Sequence, residues 1–247
     1  MKLKIFETYD LLSSAAAQKI ISTITQKPNA VLCLAAGNTP LKTYQVVAQQ
    51  CKEMKIDFSK VHFIGLDEWV GIGPENSGSC QYFLRNNIFE PLAINPNNIH
   101  LFNAASKNLK AECSSMDEMI VDLGGIDLML VGIGMNGHIG FNEPGVSSKS
   151  RSHVLALDET TQKEGQKYFT QKMALKQGIT LGLKNVAEAK TALLLASGAK
   201  KAEIIKRTLE GGVTENVPAS FIGEHNNSYV FLDTESASKL IQSKGFS

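Results

Sequence analysis

The chain has almost no charge excess, no paired cysteines and no long apolar run, and each lack removes a class of function. Its 25 Lys and Arg face 24 Asp and Glu, a formal net charge of +1. No surplus exists to drive sequence-independent binding to a polyanion, so nucleic acid is not an expected partner. No segment approaches the roughly 18 apolar residues of a membrane span, so no membrane is expected. At the start, MKLKIFETYDLL is interrupted by Glu7 and Asp10 before it reaches the length of a secretory core. Cys33, Cys51, Cys80 and Cys113 form no CxxC pair and no His cluster accompanies them, which argues against structural zinc and against a disulfide scaffold. The expectation is a reduced, cytoplasmic protein whose thiols are small buried hydrophobes. No internal period, low-complexity tract or Pro/Gly/Ser linker divides the chain, so 1–247 reads as a single domain. Its 43% hydrophobic content is enough to fill one core.

What is present is a rhythm of short apolar runs. Ala30 to Ala36, Val61 to Leu66, Ile126 to Val131, Thr191 to Ala196 and Tyr229 to Leu232 are rich in Val, Ile and Leu and too short for globular helices. They read as strands buried on both faces. Between them lie stretches of helical spacing, such as Leu41 to Met54 and Lys200 to Leu209. The alternation predicts an α/β fold, a doubly wound and largely parallel sheet flanked by helices. Four unusual segments begin where strands end: AAGNTP (Ala35 to Pro40), LDEW (Leu66 to Trp69), GIGMNGHIGFNEPG (Gly132 to Gly145) and SGAKKA (Ser197 to Ala202). The carboxyl ends of strands border the ligand crevice in such sheets, so the four are expected to converge.

Each segment admits two readings. Gly37, Asn38 and Thr39 precede a helix whose free N–H groups and dipole suit an anion, but Thr39 as N-cap and Pro40 at the first helical position make an ordinary capped turn. Lys200 and Lys201 stand in the first turn of a helix, against its dipole unless an anion sits there; the alternative is a solvated face. Asp67 and Glu68 follow an apolar strand that would raise a carboxyl pKa toward the range of proton transfer, or else one caps a turn while the other faces solvent. No His stands at metal-ligand spacing to them, and His62 lies within the strand run. Gly132, Gly134 and Gly137 satisfy G-x-G-x-x-G, yet the continuation through Gly140, Pro144 and Gly145 cannot be the amphipathic helix of a dinucleotide site. A glycine-dense loop carrying Asn136, His138, Asn142 and Glu143 instead reads as backbone bent to aim polar side chains into a crevice.

At these residues the chain resembles the glucosamine-6-phosphate deaminase family, which shares a Rossmann-like fold with 6-phosphogluconolactonases. AAGNTP is similar to its phosphate loop, LDEW to its D-E-aromatic motif, NGHIGFNEP to its most specific signature and GAKKA to its G-x-x-K-A segment. A lactonase would be expected to show D-E-R and a GHTAS-like continuation. The resemblance implies a cofactor-independent and metal-free conversion of a 2-amino-2-deoxyhexose 6-phosphate to ketohexose 6-phosphate and ammonia. It implies Asp67 as the base that moves a proton from C2 to C1, and His138 as the acid/base that opens the ring. Glu143 then polarises the imidazole, and Asn136 stands where well-known members carry an aspartate. Gly37, Asn38, Thr39 and Lys201 are implied phosphate ligands, with Lys167 in the place of an arginine and Glu68 and Gly137 among the substrate contacts. Gly223, Glu224 and His225 replace the usual Q-L-H, and GSCQYF and GQKYF look closer to a galactosamine-6-phosphate isomerase subgroup. The partner expected is a small sugar phosphate, of either C4 epimer; oligomeric state is open. A lactone hydrolase and a non-catalytic sugar-phosphate sensor are the rival readings.

Overall fold

The computed structural model describes residues 1–241. Ten strands run in chain order: β1 (Lys2–Phe6), β2 (Val31–Leu34), β3 (His62–Gly65), β4 (Asp67–Trp69), β5 (Ile99–His100), β6 (Leu128–Val131), β7 (His153–Ala156), β8 (Gln177–Thr180), β9 (Ala192–Ala196) and β10 (Ser228–Asp233). Seven helices accompany them: α1 (Tyr9–Gln26), α2 (Asn38–Glu53), α3 (Cys80–Leu84), α4 (Leu109–Asp122), α5 (Glu159–Gly165), α6 (Leu183–Glu188) and α7 (Ala202–Glu210). The main sheet has seven strands in the order β1-β10-β9-β6-β2-β3-β5, parallel throughout. Every residue of β2, β6 and β9 is buried, which is why these strands read as unbroken apolar runs rather than alternating ones.

All five sequence-predicted strands form, within two residues of their expected ends. β1 was not expected: its pattern of one buried residue among five reflects an edge position, where Lys2 and Lys4 face outward. A second sheet of three antiparallel strands, β4-β8-β7, was not expected either. The chain passes from β3 to β4 through Leu66 alone, whose N–H is bonded to the Leu34 carbonyl and whose carbonyl accepts from Leu181 N–H. One residue therefore hands the strand from one sheet to the other. The small sheet carries its own core of Trp69, Ile72, Cys80, Phe141, Leu157 and Leu175.

The winding reverses between β2 and β6. From β2 the chain moves through β3 to β5, and from β6 it moves the other way through β9 to β10. The loops leaving neighbouring strands β2 and β6 must then part, opening a crevice at their carboxyl ends.

Candidate active site

That crevice holds a cavity of about 210 Å³, walled by residues 35–40 after β2, Asp67 and Trp69 on β4, residues 77–80, residues 132–135 after β6, and His138, Thr161, Lys167, Tyr168 and Lys201. Its size suits one small metabolite, below the roughly 300–1,000 Å³ of drug-sized sites. All four unusual segments contribute to it, as expected. A wider hollow of about 750 Å³ lies beside β5, between Ile72 and Ala105, and contains none of these segments.

Asp67 and Glu68 are adjacent on a strand and so point to opposite faces. Asp67 lines the cavity. Burial, and then the neighbouring Glu68 charge, push its carboxyl up to about 7, tempered by a hydrogen bond from the Cys80 thiol. Glu68, expected among the substrate contacts, is fully buried on the other side. Its Oε1 accepts from Trp69 N–H (2.9 Å) and Cys80 N–H (3.0 Å), its Oε2 from Ser79 Oγ (2.6 Å) and Gln81 N–H (2.9 Å). It clamps the start of α3 beneath Asp67 and has no face left for a ligand. His62 is paired with His100, Nδ1 to Nε2 at 3.0 Å, away from the cavity. Among the described residues no three of His, Cys, Asp and Glu group as metal ligands would.

His138 reaches the cavity wall, 19% exposed, with Nδ1 3.4 Å from Glu143 Oε2. Gly134 makes this possible, since a Cβ there would clash with the imidazole ring. Glu143 is buried, yet hydrogen bonding and the charge of His138, with further hydrogen bonds from Thr161 and Asn136, outweigh burial and hold its carboxyl below the usual range. Asn136 Nδ2 donates to Glu143 Oε2 at 2.7 Å and its Oδ1 accepts from His138 N–H at 3.2 Å. Asn136 thus fastens both partners without touching the ring. Gly137 faces away from the cavity: φ is +92°, and a Cβ would lie 2.8 Å from Val217. It forms a turn packed against Val217 and Ile204, outside the cavity lining.

Gly37 caps α2, which starts at Asn38, so the expectation of Thr39 as N-cap with Pro40 at the first helical position is shifted by two residues. No side chain caps this end, and Gly37, Asn38 and Thr39 all line the cavity. Lys201 Nζ donates to the Ile133 carbonyl at 2.6 Å. Among the described residues it makes no ion pair, and burial, then the charge of Lys167, push its ammonium down to about 8. Lys167 is itself half exposed, 3.5 Å from Glu164. The Ser197 and Gly198 turn is not an anion site: Asp233 already accepts from Ser197 Oγ and Gly198 N–H, and Lys200 is exposed.

Several wall residues received no role from the sequence, Thr161, Tyr168 and Cys80 among them, although GQKYF and GSCQYF contain the last two. Thr161 Oγ1 lies 3.0 Å from His138 Nδ1, the Tyr168 hydroxyl stands over Gly37, 3.6 Å from where a Cβ would be, and Cys80 is beside Asp67. None stands in a glycine-marked segment at a strand end, which was the signal available.

A family model described as glucosamine-6-phosphate isomerases/6-phosphogluconolactonase matches residues 7–231. A glucosamine-6-phosphate deaminase of Thermoanaerobacter sp. (strain X514) is 40% identical over 239 residues, 96% of this chain and 94% of its own. One of Clostridium botulinum (strain Loch Maree / Type A3) is 38% identical over 241 residues, 97% of this chain and 99% of its own. A solved structure of a monomeric glucosamine-6-phosphate deaminase is 37% identical, with TM-score 0.94 over 97% of this chain and 100% of that one. The 6-phosphogluconolactonase of Trypanosoma brucei shares the fold at TM-score 0.80 and 20% identity, over 97% of this chain and 98% of that one. With sequence kinship running from α1 into β10 and the same layering of strands, the chain belongs to the glucosamine-6-phosphate isomerase/6-phosphogluconolactonase family.

Proposed function

We propose that this chain is a glucosamine-6-phosphate deaminase, converting the open-chain amino sugar phosphate to a ketose phosphate and ammonia. The observation that carries the reading is one small cavity holding both a carboxyl raised to about 7 and a partly buried ammonium with no ion pair among the described residues. A base poised near neutrality can take a proton and give it back, and an unpaired ammonium beside a free helix start awaits an anion. Relatives bearing that activity in their names, at 38–40% identity over nearly the full chain, support it.

In this reading the phosphate sits among Lys201, Lys167, Thr39 and the backbone of Gly37 and Asn38. His138, backed by Glu143, moves the proton that opens the pyranose ring. Asp67 removes the C2 proton of the aldose and delivers it to C1, leaving a ketose imine at C2 that water hydrolyses with loss of ammonia. Proton transfers suffice, so no cofactor is required and the partner is a small sugar phosphate. We place the enzyme in the cytoplasm, in keeping with four buried, unpaired thiols.

The test is ammonia release from glucosamine 6-phosphate and galactosamine 6-phosphate, side by side. Glucosamine 6-phosphate is expected to turn over, and Asp67→Asn to lower kcat by about 10² to 10⁴, the worth of a positioned proton-transfer group. No ammonia from either sugar, or wild-type turnover by the variant, would overturn the reading or the base.

A further inference from the structure

The imidazole of His138 has two neighbours at Nδ1, and they are not equivalent. Thr161 Oγ1 is at 3.0 Å, well inside hydrogen-bond range, while Glu143 Oε2 is at 3.4 Å, the longer and weaker of the two contacts. Glu143 Oε2 is already held by Asn136 Nδ2 at 2.7 Å, and Oε1 by Asp158 N–H at 3.3 Å. Thr161 is 4% exposed, so water does not compete for its hydroxyl.

A threonine hydroxyl has one proton to give and two lone pairs to offer. Glu143 Oε2 faces the same Nδ1 at 3.4 Å, and a carboxylate can only accept, so a bare lone pair on Nδ1 would point at a negative charge. Nδ1 therefore carries the proton, and the Thr161 oxygen, the nearer neighbour at 3.0 Å, accepts from it. We infer that Thr161 is the positioning residue of the site: its hydroxyl accepts from His138 Nδ1, holds the ring in the Nδ1–H tautomer and leaves Nε2 bare on the cavity side, against Gly134. The inference rests on the functional reading above for what Nε2 then does, since a bare nitrogen can take a proton from the sugar.

The arrangement also explains how the site works with Asn136. An amide there cannot polarise the ring, because it touches only the backbone of His138 and the Glu143 carboxylate. The Thr161 hydroxyl supplies the missing connection from a different part of the chain. It comes from α5, and the residues following it, Glu164, Lys167 and Tyr168, form part of the same cavity wall. The state of the imidazole is thereby tied to the placement of α5.

Thr161→Val keeps the shape and removes the hydroxyl, whereas Thr161→Ser keeps the hydroxyl. Two readouts are taken on both variants and wild type: ammonia release, and the tautomer of His138 by ¹⁵N NMR. Wild type is expected to hold the Nδ1–H tautomer. Thr161→Val should weaken that preference and reduce kcat about tenfold, with KM changed less than twofold. Thr161→Ser should restore the tautomer and at least a third of kcat. An unchanged tautomer in Thr161→Val, or a serine variant as impaired as the valine one, overturns the inference. If wild type releases no ammonia, the functional reading fails, and the tautomer comparison still decides the role of Thr161.

Discussion

Two adjacent carboxylates at the head of β4 have separate duties because a strand turns successive side chains to opposite faces. Asp67 enters the cavity, and Glu68 spends both oxygens on four donors. The sequence made Asp67 and Glu68 conspicuous, and strand parity could have divided them. What it could not show was that residues 79–81 would come back to cap Glu68 and leave its charge fixed beside Asp67. The raised Asp67 carboxyl has consequences of known sign. Activity needs the ionised base, so kcat/KM is expected to fall as pH drops through about 7, and to fall again above about 8 as Lys201 loses its proton. For stability, a carboxyl raised in the folded state favours the protonated form; the stabilisation present below about 3.9 is lost as pH rises through 7. Asp67→Asn should therefore raise Tm relative to wild type at pH 8 and leave it nearly unchanged at pH 3.5. A scan of Tm against pH checks this, and equal Tm at pH 8 would contradict the burial of that charge.

Elements are joined at the amino-terminal edge of the sheet by Asp127, the residue before β6. It accepts from Lys27 Nζ at the end of α1 (2.7 Å), from Val31 N–H at the start of β2 (2.8 Å) and from Lys190 Nζ just before β9 (2.8 Å). Burial opposes its charge, but the three donors outweigh burial and hold the carboxyl below its ordinary range. Both lysines are more than a third exposed, so solvent screens the pairs. Asp127→Ala is expected to cost about 1–2 kcal/mol, mostly from the orphaned Val31 N–H and lost charge-assisted bonds. The contribution is present above about pH 3.9 and disappears as pH falls through the lower folded pKa. Urea unfolding at pH 7 and pH 3 measures both; a loss of equal size at the two pH values would refute the ionic account. α5 and the antiparallel strands were illegible for a different reason. β7 and β8 are short, and Gly178 lets Phe141 pack on a backbone that carries no side chain of its own. Their pattern is therefore set by what they cover, not by an internal period.

Across the whole molecule, the cavity lies where the main sheet reverses its winding and the small sheet meets it. A ligand held by both parts binds only the folded chain, so glucosamine 6-phosphate should raise Tm, by the equivalent of about 2.7 kcal/mol at a hundred times its Kd. Lys201→Ala should abolish most of that shift while leaving the unliganded Tm within a few degrees, because its ammonium is costly to bury. An undiminished shift would remove Lys201 from the phosphate site. The sequence by itself determined the parallel sheet and the convergence of four segments. Buried strands must be continuously apolar, and loops at strand ends must be glycine-rich to bend, and both demands are written locally. The tertiary structure alone decided that Glu68 and Gly137 support the site from behind, that Asp233 fills the Ser197 turn, and that Thr161, Tyr168 and Cys80 complete the wall. Those roles depend on which side chains meet across more than ten residues of chain. A hydrogen bond between distant residues leaves no period in the sequence to read.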